Sequence, residues 1–172
     1  MKKFFKSTYW MFIIAAIIII LDQFTKWLVR SNLVFGDSWI PFQSLPFLRI
    51  VYWKNTGVAF GMLQGMNIVF IFLAALVAVA LVWYYPSIPR EDWLIRLALS
   101  LELGGALGNL VDRIRFGHVI DFVSVGNFPV FNVADSCITV GIFVLLLGIW
   151  IQERREKKKI ADPAVTSDGE PQ

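Results

Sequence analysis

Gly104-Gly105-Ala106-Leu107-Gly108-Asn109-Leu110-Val111-Asp112-Arg113, followed by Val119-Ile120-Asp121-Phe122 and Phe131-Asn132-Val133-Ala134-Asp135, is the stretch that decides the fold. Long apolar segments lie before and after it. An ionised side chain at the centre of a membrane helix costs about 2.5–3.5 kcal/mol on insertion scales, and less near the interface. A chain that keeps Asp112, Asp121 and Asp135 beside apolar spans has a use for them. The stretch predicts that Asp121 and Asp135 form a working pair of carboxylates at the outer membrane surface. The bland alternative is two interfacial aspartates, one of them a helix cap.

Composition agrees with a membrane setting. Of 172 residues, 57% are hydrophobic and 17% charged, and the mean hydropathy is +0.64. Soluble domains are about 45–50% apolar. The net charge of +3 is small, and the basic residues sit at the ends and in one loop, which argues against nucleic-acid binding. One cysteine, Cys137, excludes an intrachain disulfide and reads as a buried structural thiol. One histidine, His118, cannot build a His-rich metal site.

Outward from the stretch, four apolar runs are long enough to span hydrocarbon, which takes about 20 residues. They are Tyr9–Leu28, Asn67–Tyr85, Trp93–Leu110 and Ala134–Gln152. The first follows Lys2, Lys3 and Lys6, as a signal peptide would, but no small-x-small cleavage site follows it. It reads as a retained helix. Asp22 and Lys26 share one face of that helix and are expected to pair near its outer end. Between the first two spans, Leu48-Arg49-Ile50-Val51-Tyr52-Trp53 is β-branched and aromatic, a strand signal. Asn55 to Gly61 reads as a turn and a short strand, giving a small half-exposed outer sheet. Gly104, Gly105 and Gly108 predict close helix contacts in the third span. Glu102, inside that span, has no purpose the sequence explains. Asp135 falls where it could cap the fourth span. Residues 153–172 are charged, then Pro- and Ser-containing, and are expected to form a disordered tail.

Lys and Arg set the orientation. Ten of the sixteen lie at the N-terminus, in the Pro86–Arg96 loop or after Gln152; six lie on the other side. That bias, with an even number of spans, predicts cytoplasmic termini and extracytoplasmic aspartates.

Five pieces in order, Asp22-x-x-Thr25-Lys26, Asn55-x-Gly57-x-Ala59-Phe60-Gly61, Gly104 to Arg113, Val119-x-Asp121-Phe122 and Phe131-Asn132-x-Ala134-Asp135, resemble the lipoprotein signal peptidase (signal peptidase II) family. The likeness covers roughly Tyr9 to Trp150. It implies an all-α polytopic membrane protein of the bacterial inner membrane, with four transmembrane helices, a small extracytoplasmic β-cradle and a short outer helix between the last two spans. Residues 1–152 would form one membrane-embedded peptidase domain. It implies an aspartic endopeptidase that cuts diacylglyceryl-modified prolipoproteins just before the lipidated cysteine, without a cofactor or metal, and that globomycin-type inhibitors block. Membrane lipid would be a further partner. Glu102 matches no position of the family pattern.

The residues suit that chemistry. Two close carboxylates that share a proton can activate water and hydrogen-bond the scissile carbonyl. Such a pair titrates as a unit, so neither role is fixed to Asp121 or Asp135. Gly126-Asn127-Phe128-Pro129 is a turn that could fold the two together. Asp112 and Arg113 read as an anchoring ion pair, with a catalytic role as the alternative. Asn55, Asn109 and Asn132 can both donate and accept hydrogen bonds, and so position substrate or support the aspartates. Gly57 and Ala134 are expected to bind substrate or support the pair, and Asp22 and Lys26 to have a structural or substrate-adjacent role at the membrane edge. His118 could be a base, but no nucleophile motif accompanies it. A non-enzymatic transporter or proton relay is the rival class. It would place acids at the midplane, usually within inverted repeats, and none stand out. The His-Glu-x-x-His and Gly-x-Ser-x-Gly motifs are absent.

Overall fold

The computed structural model describes residues 2–57 and 65–161. Four long helices carry it: α1 (Lys2–Asn32), α2 (Asn67–Tyr84), α3 (Trp93–Phe116) and α4 (Val133–Ala161). Each is long and apolar enough to cross a membrane, and each lies on an apolar run read from the sequence. A single 3-10 turn at Tyr85–Ser87 and a short loop join α2 to α3.

Helix α3 is the centre of the bundle. In its most apolar stretch 56% of residues are buried, against 11% in α2. Glycines make this possible. A Cβ on Gly104 would stand 2.8 Å from Cβ of Ile18 in α1. One on Gly105 would stand 2.5 Å from the carbonyl oxygen of Ala134, at the start of α4, and one on Gly108 would stand 2.8 Å from the Asp22 carboxylate. Only hydrogen fits at these contacts, so three backbones converge where the polar residues lie. At the opposite end Met11, Tyr85, Ile95, Leu99 and Leu103 pack into an apolar core. Phe72, Leu76, Val79, Trp83 and Phe143 face outward and exposed, as a lipid-facing surface requires.

A three-stranded antiparallel sheet caps the bundle, in the order β1 (Ser38–Trp39), β2 (Leu48–Asn55), β3 (Val119–Val125). The strand expected at Leu48–Trp53 forms and runs on to Asn55. Its expected continuation from Val58 to Gly61 lies outside the described residues. Phe35, Trp39, Phe42, Phe47 and Trp53 are exposed around the sheet.

The segment after α3 corrects two details. The short outer helix expected between the last two spans is absent among the described residues. Val111–Phe116 instead prolong α3, which ends at Gly117 in the left-handed region (φ 76°), its N–H on the Arg113 carbonyl at 3.1 Å. The chain then turns straight into β3, whose β-branched run pairs with β2. Beyond Gln152, α4 continues as helix to Ala161, so the expected tail begins helical. Residues 162–172 lie outside the described residues. Cys137 is free and half-buried rather than fully buried.

One irregularity in the sheet bears on the site. Ile50 pairs with Val123, yet Trp53 pairs with Asp121 and Asn55 with Val119, so β2 holds one extra residue between Ile50 and Trp53. A one-residue shift flips every later side chain to the other face. The bulge thereby puts Asn55 on the same face as Asp121.

Candidate active site

The site begins at the N-terminus of α4. The turn after β3 folds the chain back, and Phe131 exchanges backbone hydrogen bonds with Val123 (Phe131 N–H to Val123 O at 3.0 Å, Val123 N–H to Phe131 O at 2.8 Å). That places Asn132 at the helix cap. Its side-chain oxygen accepts the Asp135 N–H at 2.9 Å, and its own N–H donates to Asp135 Oδ2 at 3.3 Å. This is a capping box with Asn and Asp in the two roles. The expectation that Asp135 caps α4 is therefore corrected: Asn132 is the cap and Asp135 its reciprocal partner. Ala134 donates its N–H to Asp22 Oδ1 at 3.0 Å, so an α1 carboxylate meets the positive end of α4.

Asn132 also reaches β3. Its Nδ2 donates to Asp121 Oδ1 at 2.7 Å. The other oxygen of Asp121 accepts from Asn55 Nδ2 at 2.9 Å, and Asn55 Oδ1 accepts the Gly57 N–H at 3.0 Å. One asparagine thus touches both Asp121 and Asp135. Asp121 is 1% exposed, whereas Asp135 is half-buried. Burial, and then the charge of Asp135, push the Asp121 carboxyl up to about 7; hydrogen bonds from Asn55 and Asn132 pull the other way.

Behind the aspartates lies a buried cation. Lys26 Nζ is 2.8 Å from Asp22 Oδ2, 2.9 Å from Asp112 Oδ2 and 3.0 Å from Asn109 Oδ1. An ammonium has three hydrogens and no acceptor, so all three are used. Because Lys26 can only donate, the Asn109 oxygen must face it. The Asn109 amide then points the other way and donates to Asp135 Oδ1 at 2.8 Å. Asp112 further accepts the Ile120 N–H at 3.0 Å and Gln23 Nε2 at 2.9 Å.

The expected Asp22–Lys26 pair is present and fully buried. The Asp112–Arg113 ion pair is not: Asp112 binds Lys26, and Arg113 donates to the Gly57 carbonyl at 3.1 Å and lies over the Phe70 ring at 5.1 Å. Neighbouring residues on a helix point about 100° apart and cannot share a partner site. All the residues singled out, Asp22, Lys26, Asn55, Gly57, Asn109, Asp112, Arg113, Asp121, Asn132, Ala134 and Asp135, meet at this end of the bundle. Gln23, which ties Asp112 to the Gly108 carbonyl, is marked in the sequence only by its place beside Asp22. His118 contacts the Phe116 ring and backbone rather than either aspartate, and burial pushes its imidazole down. Glu102 stands apart, at the α3–α4 contact by Gly141.

The family model described as signal peptidase (SPase) II matches residues 14–151. The chain belongs to the signal peptidase II family. A protein from Halalkalibacterium halodurans named lipoprotein signal peptidase is 41% identical, over 86% of this chain and 96% of that one. Another of that name, from Staphylococcus aureus, is 34% identical over 92% and 97%. A bacterial membrane enzyme solved by the in meso method at 2.3 Å superposes with a TM-score of 0.75 at 30% identity, covering 94% of each chain. A second, solved at 1.9 Å, gives 0.73 at 33% identity, covering 81% of this chain and 91% of that one. Family and fold together make the chain a multi-pass bacterial membrane peptidase.

Proposed function

We propose that the chain is an intramembrane aspartic endopeptidase that removes signal peptides from diacylglyceryl-modified prolipoproteins, cutting just before the lipidated cysteine. Asp121 and Asp135 are its catalytic pair. The observation that carries this reading is Asn132, which hydrogen-bonds both carboxylates and so holds Asp121 and Asp135 at one place. An ionised member can then accept from a water while the O–H of a protonated member donates to a carbonyl. The pKa of Asp121 near 7 supports a shared proton at neutral pH.

In this mechanism the ionised member of the pair takes a proton from water as its oxygen attacks the scissile carbonyl carbon. The neutral member hydrogen-bonds the carbonyl oxygen. Collapse of the tetrahedral intermediate breaks the C–N bond, and the leaving amine takes up a carboxyl proton. Lys26, Asp22, Asp112 and Asn109 hold Asp135; Asn55 and Gly57 hold Asp121. Arg113, Asn132 and Ala134 border the substrate. The step needs no metal, and the local cation is already Lys26. The Lys/Arg bias supports cytoplasmic termini and an extracytoplasmic site in the inner membrane.

The test is incubation of purified protein with a diacylated prolipoprotein. Cleavage before the lipidated cysteine is expected, blocked by globomycin and unchanged by EDTA. Asp121→Asn and Asp135→Asn should each abolish it, because losing a general base typically costs about 10²–10⁴-fold and a shared pair fails together. Full turnover in either folded variant, or EDTA loss restored by zinc, would overturn the mechanism.

A further inference from the structure

At the bundle end opposite the aspartates, a cavity of about 390 Å³ opens between α1, the 3-10 turn and the first turn of α3. We propose that it binds the headgroup of an anionic phospholipid. Its wall carries Arg90 and Arg96 among Tyr9, Trp10, Tyr85 and Trp93. Arg96 is fixed there: it donates to the Ile88 carbonyl at 2.7 Å and stacks over Tyr85 at 4.2 Å. Arg90, on the loop before α3, is exposed. Two acids follow Arg90 in the chain, and neither lines the cavity: Glu91 is exposed, and Asp92 lies 3.7 Å from Arg155 of α4.

The helix end adds to this charge. Asp92 precedes α3 without a side-chain cap bond, so the positive end of a 24-residue helix is left uncapped by a carboxylate. Trp93, Arg96 and Leu97 project from one face of that first turn, at the spacing of neighbours on a helix. Trp10 and Trp93 are 56% and 59% exposed at the ends of their spans, where indole rings settle at headgroup level. Ile14 and Leu97, one turn deeper, continue the wall as an apolar track for an acyl chain. Basic pockets between membrane helices of this kind take anionic headgroups; a zwitterionic lipid offers the same phosphodiester but sets its own cation beside the two guanidinium groups, which weakens its binding.

Delipidated full-length protein in neutral detergent, titrated in native mass spectrometry, tests this. Phosphatidylglycerol should bind more tightly than phosphatidylcholine of the same chains. Arg90→Gln should weaken phosphatidylglycerol about five-fold, and Arg96→Gln at least as much. Arg154→Gln, which removes a charge near the same end but outside the cavity, should leave the preference intact. Inorganic phosphate at matched concentration should not displace the lipid. Equal affinity for both lipids overturns the proposal, as does an unchanged preference in Arg90→Gln, whose exposed position leaves folding undisturbed. Equal losses in Arg154→Gln and Arg90→Gln would reduce the effect to general surface charge, and displacement by phosphate would make this a free-anion site.

Discussion

Asn132 and Asp135 hold each other across the first turn of α4, the amide oxygen of one on the backbone N–H of the other and the carboxylate in return on the Asn132 N–H. The same Asn132 amide donates to Asp121 on β3. A helix cap thus joins the Phe131–Val123 backbone pair in fixing the distance between α4 and β3.

Replacing Asn132 should separate its two functions. Asn132→Ala removes the cap, which costs about 0.5–2 kcal/mol, and also unties Asp121 from Asp135. Asn132→Ser restores a capping oxygen but has no amide to donate to Asp121. The serine variant should regain most of the melting temperature and little of the turnover. Full activity in Asn132→Ser would show that the contact to Asp121 is incidental.

Much of this was legible in the sequence, for physical reasons. Span boundaries follow from apolar length alone. The Asp22–Lys26 pair follows from helical spacing, and the α1–α3–α4 approach from three glycines in one turn-and-a-bit of helix. What stayed hidden depends on distant partners. The bulge that turns Asn55 toward Asp121 is one residue of slack in the β2–β3 register, and no local pattern around Ile50–Trp53 marks it. Asp112 has Arg113 beside it in the sequence, but its partner is Lys26 on another helix. Asn132 stands out in the sequence as a support for the aspartates, but that one side chain caps α4 and touches Asp121 follows only from the turn that brings α4 back to β3.

The orientation can be read directly. Reporter fusions after Pro89 and after Arg154 should be active in the cytoplasm, and one placed in the 117–130 segment should report the opposite side. Extracytoplasmic activity at either of the first two junctions would invert the topology.

Stability should depend on pH through Asp121. Its carboxyl is raised to about 7 from the usual 3.8, so between those values the folded chain keeps a proton that the unfolded chain has released. That contribution is complete below about pH 4 and is lost as pH rises through 7, at most about 4 kcal/mol in all. The wild-type melting temperature should fall more steeply from pH 4 to 8 than that of Asp121→Asn, which cannot titrate. Parallel curves would mean that Asp121 is ionised in the fold across this range.

Gly105 should be intolerant in a way that Gly148 is not. A Cβ on Gly105 meets the Ala134 carbonyl oxygen at 2.5 Å, backbone that can move only by shifting the start of α4. A Cβ on Gly148 meets Ile95 Cγ1 at 2.8 Å, far from the aspartates. Overpacking of either kind costs about 1–3 kcal/mol. Both alanine variants should melt lower, but only Gly105→Ala should lose turnover when assayed well below its melting temperature. Equal turnover in the two would uncouple the α3–α4 spacing from catalysis.

Lys26 sets the sharpest energetic test. Among the described residues it is the one cation within salt-bridge distance of Asp22 and Asp112, and all three side chains are essentially buried. Lys26→Met leaves two buried carboxylates without a counter-ion, a loss of about 3–5 kcal/mol. Lys26→Arg should not rescue it, because a planar guanidinium cannot aim three donors along the three directions an ammonium fills. Asp112→Asn alone should be milder. Its oxygen can still accept from Lys26 and the Ile120 N–H; only the Gln23 contact is lost, since the Gln23 N–H groups are held by the Gly108 carbonyl and Asp22. The double variant Lys26→Met with Asp112→Asn should then be more stable than Lys26→Met alone, since one stranded charge is gone. Melting curves of the four proteins give the coupling directly. Additive losses would mean that the 2.9 Å contact between Lys26 and Asp112 contributes nothing to stability.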